Sequence, residues 1–357
     1  MDRIRLLVPG NIHHHSGGNI YNARLVQGLK VLGVDVEVLP VEGSWPYASA
    51  HARRRLGSLL GAWETGSEAE QPDTVTIVDG LIAMGTPDEL EFAARAGRQT
   101  WVLVHMPAPA HHEREARSLR AATGVVCTST WARKVLEERH GLHGLKVALP
   151  GTDPAPLAEG SAPPHMVIVA ALLPNKDQLL TVSALALLQD LEWTASFVGS
   201  DQADGDYAQK VKAAVEMHGL DGRIQFTGEL AGEALESQWR RADLSLLVSR
   251  AEAFGMVVTE SLARGIPVVV RDGTGAVEAL RLGMAGQDDD GGALPGAKVA
   301  FPADDDPANP ALLAQALRHW LEDAGTRDAW RARALEARGA LPGWEQPAAH
   351  VLAAIRG

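Results

Sequence analysis

Two glutamates, Glu252 and Glu260, bracket the run Ala253-Phe254-Gly255-Met256-Val257-Val258-Thr259. An apolar strand-like segment, Leu244 to Ser249, leads into it, and a helical pattern starts near Met256. A helix N-terminus carries roughly +0.5 charge on its free amides, which suits a diphosphate, and Gly255 lets the backbone approach such a ligand closely. Carboxylates suit sugar hydroxyls. One short segment could therefore hold both ends of a nucleotide sugar, although acidic residues also cap helices that bind nothing.

Other candidates sit at the ends of apolar runs. Gly17 and Gly18 close the loop Asn11-Ile-His13-His14-His15-Ser16, where missing side chains would let amides face an anion, or would simply make a turn. His105 follows the run Thr100 to Val104, so it should emerge at a sheet's carboxyl edge, where ligand clefts form; a hydrogen-bonded strand end is the plainer alternative. Asp79 occupies an equivalent strand end and could orient an acceptor hydroxyl or cap the next turn. Metal chemistry is poorly supported. Three consecutive histidines in a loop rarely face one ion, so His13, His14 and His15 are expected to line a cleft or its rim. Asp288-Asp289-Asp290 and Asp304-Asp305-Asp306 lack the alternation and distal Glu of a calcium loop, and Asp204-Gly205-Asp206 lies in a polar turn; all three read as solvated. No metal is expected.

Positioning these residues requires alternating strands and helices. Apolar, β-branched runs at Ile4–Val8, Val34–Leu39, 74–78, 100–104 and 125–128 predict strands in the first half. Ala23, Val26, Leu29 and Leu32 suggest a helix face between the first two. A Pro, Gly and Ser-rich stretch follows, and strands resume at 166–170, 194–198, 224–227, 244–249 and 268–270. The expected fold is α/β, two doubly wound Rossmann-like domains facing across a cleft. The boundaries expected are a first domain over 1–152, a linker over 153–164, a second domain over 165–342 and a terminal helix over 343–357.

Composition excludes several classes. With 357 residues, 46% of them hydrophobic, the chain can bury two cores and is too apolar for a disordered polymer. Its 33 basic against 45 acidic residues give a formal charge of −12, which repels nucleic acid. Cys127 is the only cysteine, so neither an intrachain disulfide nor a multi-cysteine metal site can form. The start offers no signal-like apolar core, and the cytoplasm is the expected address. Arg53, Arg54 and Arg55 flank an apolar stripe through Leu56, Leu59, Leu60 and Trp63, which is expected to pack on a sheet rather than on lipid.

Glu252-Ala-Phe-Gly-Met-Val-Val-Thr-Glu260, followed by Ser-Leu-Ala-Arg-Gly-Ile-Pro-Val-Val, resembles the E-x7-E segment of family 4 retaining glycosyltransferases of the GT-B fold. The likeness continues through Phe197-Val198-Gly199, Arg223 to Gly228, Asp272 to Glu278, Val8-Pro-Gly, Ser16-Gly17-Gly18, Asp79-Gly80-Leu81 and Val104-His105-Met106-Pro107, covering nearly the whole chain. The resemblance implies that Glu252 contacts the donor sugar and Glu260 the nucleotide ribose. Phe254, Gly255, Met256 and Val257 would surround sugar and phosphate with their amides; Gly17 and Gly18 would close on the diphosphate, with Gly199 and Gly228 also on the donor side. His105 would lie near the sugar, and Lys176 would neutralise the departing diphosphate. It further implies a metal-independent transfer, without cofactor, from a nucleotide diphosphate sugar to a small-molecule or glycan hydroxyl. One departure stands out: the family usually carries an arginine shortly before the lysine, where this chain has Ala170-Ala171 and Pro174-Asn175. Arg250 or Arg271 could compensate. A catalytically degenerate sugar-nucleotide-binding protein and a nucleotide-sugar epimerase of the same fold are the alternatives. A dinucleotide dehydrogenase or P-loop enzyme is excluded by the missing glycine motifs.

Overall fold

The computed structural model describes residues 3–10, 16–63, 74–284 and 293–357. His13, His14, His15 and Asp288-Asp289-Asp290 lie outside the described residues. The chain divides into two compact units, one made of Met1–Gly151 with Pro342–Gly357, the other of Thr152–Leu341.

The first unit is a parallel sheet of six strands: β1 (Arg3–Pro9), β2 (Asp35–Val41), β3 (Thr74–Asp79), β4 (Thr100–Val104), β5 (Gly124–Cys127) and β6 (Lys146–Val147). Their spatial order is β2-β1-β3-β4-β5-β6. β3 and β4 are buried along nearly their whole length because helices cover both faces of the sheet. The chain leaves β1 toward one edge for β2, then crosses back to place β3 on the other side. At such a reversal the loops leaving the strands' carboxyl ends diverge, and a ligand can settle between them.

Helix Gly17–Val31 follows β1 and starts earlier than the residues suggested. Ser16 is extended, and its hydroxyl accepts the Asn19 amide at 3.2 Å, so Gly17 and Gly18 form the first helical turn instead of a loop. The buried stripe also differs from the expected one. Tyr21, Asn22, Leu25 and Leu29 face inward, whereas Ala23 is exposed and Leu32 is 45% exposed. Three-residue steps fall about 60° short of a full turn each, so Ala23 to Leu32 wind around the helix, while four-residue steps from Tyr21 hold one face. The terminal helix Glu345–Arg356 packs on this face through Ala348, Val351, Leu352 and Ile355. Gly28 makes that approach possible, since a Cβ there would stand 2.6 Å from the Ala348 Cβ. On the opposite side, helix Ala50–Leu59 buries Leu56, and Leu60 follows it into the core.

The second unit repeats the plan with β7 (His165–Val169), β8 (Thr194–Val198), β9 (Ile224–Gly228), β10 (Leu244–Leu247), β11 (Val268–Arg271) and β12 (Gly296–Val299). The order β12-β11-β10-β7-β8-β9 puts the reversal between β7 and β10. Trp193 and Trp320 fill the main core, with Trp239 in a satellite cluster. Two strands escaped the sequence reading. β6 is two residues long, and β12 falls between the two acidic runs that read as solvated. Both are edge strands held by main-chain pairing, and Gly296 is dictated by the β11 backbone, which a Cβ would strike at the Val268 carbonyl. No helix among the described residues is long and apolar enough to cross a membrane.

Candidate active site

In the second unit, the loops leaving β7 and β10 carry the charged candidates. Past β7 the chain makes a short 3-10 turn, Pro174–Lys176, and past β10 it runs through Arg250 and Glu252 to helix Met256–Leu262. Main-chain bonding ties the two loops, with the Arg250 amide donating to the Asn175 carbonyl at 2.8 Å. This tie brings Lys176 Nζ to 2.7 Å from Glu252 Oε2, a part-buried ion pair between residues far apart in sequence. A carboxylate and an ammonium thus lie one hydrogen bond apart.

Gly255 has φ +83°, a left-handed conformation that glycine adopts without cost and that starts the helix abruptly. A Cβ on it would meet Leu247 at 2.8 Å and Glu252 Cγ at 3.3 Å. Phe254 is buried beneath the loop, and Met256 and Val257 form the first helical positions. One turn further on, Glu260 is half-buried. Burial pushes its carboxyl above the ordinary range, against the opposing pull of Arg264, whose Nη1 donates to the Glu260 carbonyl at 2.8 Å. Gly199, after β8, donates its amide to the Gly228 carbonyl at 2.9 Å. A Cβ on Gly199 would collide with the Ala170 carbonyl, so this glycine keeps the loops after β7 and β8 in contact.

The two arginines considered as substitutes for the family's phosphate clamp are engaged elsewhere. Arg271 Nη2 reaches Asp177 Oδ2 at 2.6 Å and Nη1 reaches Asp304 Oδ1 at 3.0 Å. Arg250 contacts Asp177 Oδ2 through Nε at 3.1 Å and Asp305 Oδ1 through Nη1 at 2.8 Å. Asp304 and Asp305 are therefore ion-pair partners and not simply a solvated run. Asp204 caps helix Gly205–Met217 by accepting the Tyr207 amide at 3.0 Å, as a turn residue should.

The first unit holds a different cluster at the carboxyl ends of β3 and β4. Asp79 accepts the Leu81 amide on Oδ1 at 2.9 Å, so it does cap the following turn. Its Oδ2 remains for Asn22 Nδ2 at 3.3 Å and His105 Nε2 at 3.4 Å. His105 Nε2 is also 3.0 Å from Asn22 Oδ1. Both partners are acceptors, so Nε2 carries a proton. Gly18 lies against the face of this imidazole, and a Cβ would stand 3.2 Å from His105 Cδ2. Beside the cluster is a cavity of about 200 Å³ whose walls include Asp79, Leu81, Met84, His105, Met106 and Leu119.

Two residues that build these clusters were not singled out from the sequence. Asn22 lies four positions after Gly18, on the same helical face, which is the signal that could have found it. Asp177 precedes a helix and so looks like an ordinary cap, yet its side chain makes no cap bond.

Residues 152–337 match the family described as glycosyl transferases group 1. The lipopolysaccharide core biosynthesis mannosyltransferase LpcC of Rhizobium leguminosarum bv. viciae is 32% identical over 218 residues, 56% of this chain and 60% of that protein. The mannosylfructose-phosphate synthase of Agrobacterium fabrum is 32% identical over 124 residues, 33% of this chain and 27% of that protein. The chain thus spans less than two thirds of the length of these curated relatives. Among solved structures, the sucrose-phosphate synthase of Thermosynechococcus elongatus gives a TM-score of 0.74 at 17% identity, covering 100% of this chain and 98% of that one. Anabaena Alr3699/HepE, solved with UDP and glucose, gives 0.71 at 16% identity with 100% of both chains covered. These likenesses identify the fold as GT-B. With the match extending over more than half of its length, the chain belongs to the group 1 glycosyl transferases.

Proposed function

We propose that the protein transfers a sugar from a nucleotide diphosphate sugar to a hydroxyl-bearing acceptor, with retention at the anomeric carbon and without a metal ion. The observation that carries this reading is the 2.7 Å pair between Lys176 Nζ and Glu252 Oε2 at the carboxyl edge of the second sheet. A carboxylate there can accept sugar hydroxyls while the ammonium faces the phosphate that departs. The presence of UDP and UDP-glucose in complexes of Alr3699/HepE supports UDP-glucose as the first donor to try, and LpcC supports a mannose donor as the second.

In the reaction, the bond between C1 and the phosphate oxygen breaks and the acceptor oxygen bonds to C1 on the same face. The acceptor's hydroxyl proton passes to the departing phosphate oxygen, and a nucleoside diphosphate leaves. No protein nucleophile is required. Catalysis then rests on orientation and on charge stabilisation of the leaving diphosphate by Lys176, with Glu260 toward the ribose.

Thermal-shift screening against UDP-, GDP-, ADP- and TDP-sugars should give one donor class that raises the melting temperature, since selective binding stabilises the native state. Transfer with that donor should proceed in excess chelator, and the product's anomeric coupling should match the donor's. Donor binding with neither transfer nor hydrolysis would favour the degenerate binding protein, and an inverted product would remove the retaining mechanism.

A further inference from the structure

We infer that Asp177 is the positioning residue for Lys176, an inference that rests on the transferase reading above. The two are adjacent, but their side chains take separate partners. Lys176 extends to Glu252, while the carboxylate of Asp177, 3% exposed, is shared by Arg271 Nη2 at 2.6 Å and Arg250 Nε at 3.1 Å on Oδ2, with Arg250 Nη2 at 3.3 Å on Oδ1.

Several features separate this aspartate from an ordinary helix cap. It stands at the cap position of helix Gln178–Ala186, where its carbonyl accepts the Thr181 amide, yet its side chain accepts none of that helix's amides. Its φ is +54°, and among the described residues only His111 is another non-glycine with a left-handed backbone. Aspartate tolerates that conformation better than most residues, which keeps a charged side chain where glycine would be the default. Its partner Arg271 is itself locked, donating through Nε to the Val248 carbonyl at 3.0 Å and lying over the Phe301 ring at 4.5 Å. Asp177 therefore anchors the turn to a guanidinium that cannot move away.

Three ties then join the turn that carries Lys176 to the loop that carries Glu252. They are the Arg250 amide to the Asn175 carbonyl, Asp177 to Arg250, and Lys176 to Glu252. Only the last uses groups assigned to the donor. When Lys176 turns toward a phosphate, the first two still fix its Cα, and Asp177 supplies the one made by side chains. Gln178, next along, adds a bond from Nε2 to the Ala171 carbonyl at 2.9 Å, across the position where the family's arginine is missing. Because Arg250 and Arg271 are committed to Asp177, the placement of the Lys176 ammonium carries more of the phosphate stabilisation than it would beside a second free cation.

The test compares Asp177→Asn and Asp177→Gly with Lys176→Ala and the Lys176→Ala/Asp177→Asn double variant, using whichever of UDP-glucose and GDP-mannose supports turnover. Asn and Gly both accept a left-handed φ, so the carboxylate is removed with the backbone retained. A kcat at least tenfold lower, a donor KM within about threefold of wild type, and a double variant no slower than Lys176→Ala alone are expected, because a residue acting through Lys176 has nothing left to position once it is gone. Wild-type kcat in the Asn and Gly variants, or losses that multiply in the double variant, would overturn the inference while leaving the transferase reading in place. Full turnover in Lys176→Ala would overturn both. Should the unpaired Arg271 destabilise the Asn variant, Asp177→Asn/Arg271→Met removes both charges together and is judged by the same kinetic criteria.

Discussion

The two units solve the same geometric problem with different chemistry. Each places its polar cluster beside the point where a doubly wound sheet reverses, between β1 and β3 in one and between β7 and β10 in the other. The first unit builds its cluster from an amide, a carboxylate and an imidazole within hydrogen-bond range, closed over by Gly18. In the second unit Lys176, Arg250 and Arg271 are matched against Glu252, Asp177, Asp304 and Asp305. A hydrogen-bonded cluster sets direction: it holds Nε2 of His105 toward Asn22 and Asp79. The ionic cluster sets potential, as the proposed departure of a diphosphate would require. Fold alone therefore does not distribute the work, and the residues at the strand ends do.

That contrast predicts unequal losses. Lys176→Ala should lower kcat by about 10²- to 10³-fold, the scale of removing one preorganised charge from a site of developing negative charge. His105→Ala, which removes orientation and no counter-charge, should cost nearer tenfold, within the range of acid-base or positioning residues. Both are measured as nucleoside diphosphate release at saturating donor. An equal loss in the two would break the division into a charge-bearing and an orienting half.

Acid should weaken the second unit first. His165 is fully buried in β7, with Nδ1 2.7 Å from Thr194 Oγ1 and Nε2 3.0 Å from Ser196 Oγ, and burial together with Arg241 pulls its pKa down to about 4. The folded chain keeps this ring neutral, whereas the unfolded chain protonates it near the ordinary value of about 6.5. The stability it contributes is complete above pH 6.5 and is lost progressively as pH falls toward 4, by up to about 3 kcal/mol. Asp243 and Glu260, whose carboxyls burial pushes up, act with the opposite sign. The measurement is thus a difference: urea unfolding of wild type against His165→Gln between pH 7 and 4, where the variant should show the shallower decline. Parallel curves would mean that His165 does not set the acid limit.

In the first unit, Gly18→Ala should act through His105. A methyl group 3.2 Å from the imidazole forces a shift of a few tenths of an ångström, costing about 1 kcal/mol of stability as mild overpacking does. A helical alanine recovers part of this relative to glycine. Turnover should fall severalfold with donor KM nearly constant, and the His105 ring resonances should move. Unchanged resonances would show that the glycine serves the backbone and not the ring.

How much of this was readable beforehand follows from length scale. The central strands were legible because burial on both faces forces apolar runs, and the edge strands β2 and β9 because they keep β-branched and aromatic residues, whereas the short edge strands β6 and β12, held by backbone pairing, carried no such run. Glu252, Gly255 and Glu260 were legible as one segment because their chemistry is local. The partner of Lys176 lies 76 positions away, and Asp177 meets Arg271 across 94, so these contacts follow from sheet order and are not written in any window of residues. Asn22 was hidden for a subtler reason: a stripe running from Ala23 at three-residue steps leaves a buried polar residue off the inward face.

The smallest effect expected lies within the ionic cluster itself. Arg250 bridges the buried Asp177 and Asp305, whose side chain is 86% exposed, so the two ends of one guanidinium sample very different surroundings. Exposed ion pairs contribute about 0–1 kcal/mol and are screened by salt, whereas a carboxylate shielded from water keeps its interaction. Asp305→Ala should accordingly change kcat by less than about twofold and the unfolding free energy by less than about 0.5 kcal/mol, and raising the ionic strength should not widen the gap from wild type. If Asp305→Ala instead slows turnover as much as Asp177→Asn does, the outer acidic run, and not the buried carboxylate, holds Arg250 in place, and the ionic cluster must be treated as one cooperative unit extending to the surface.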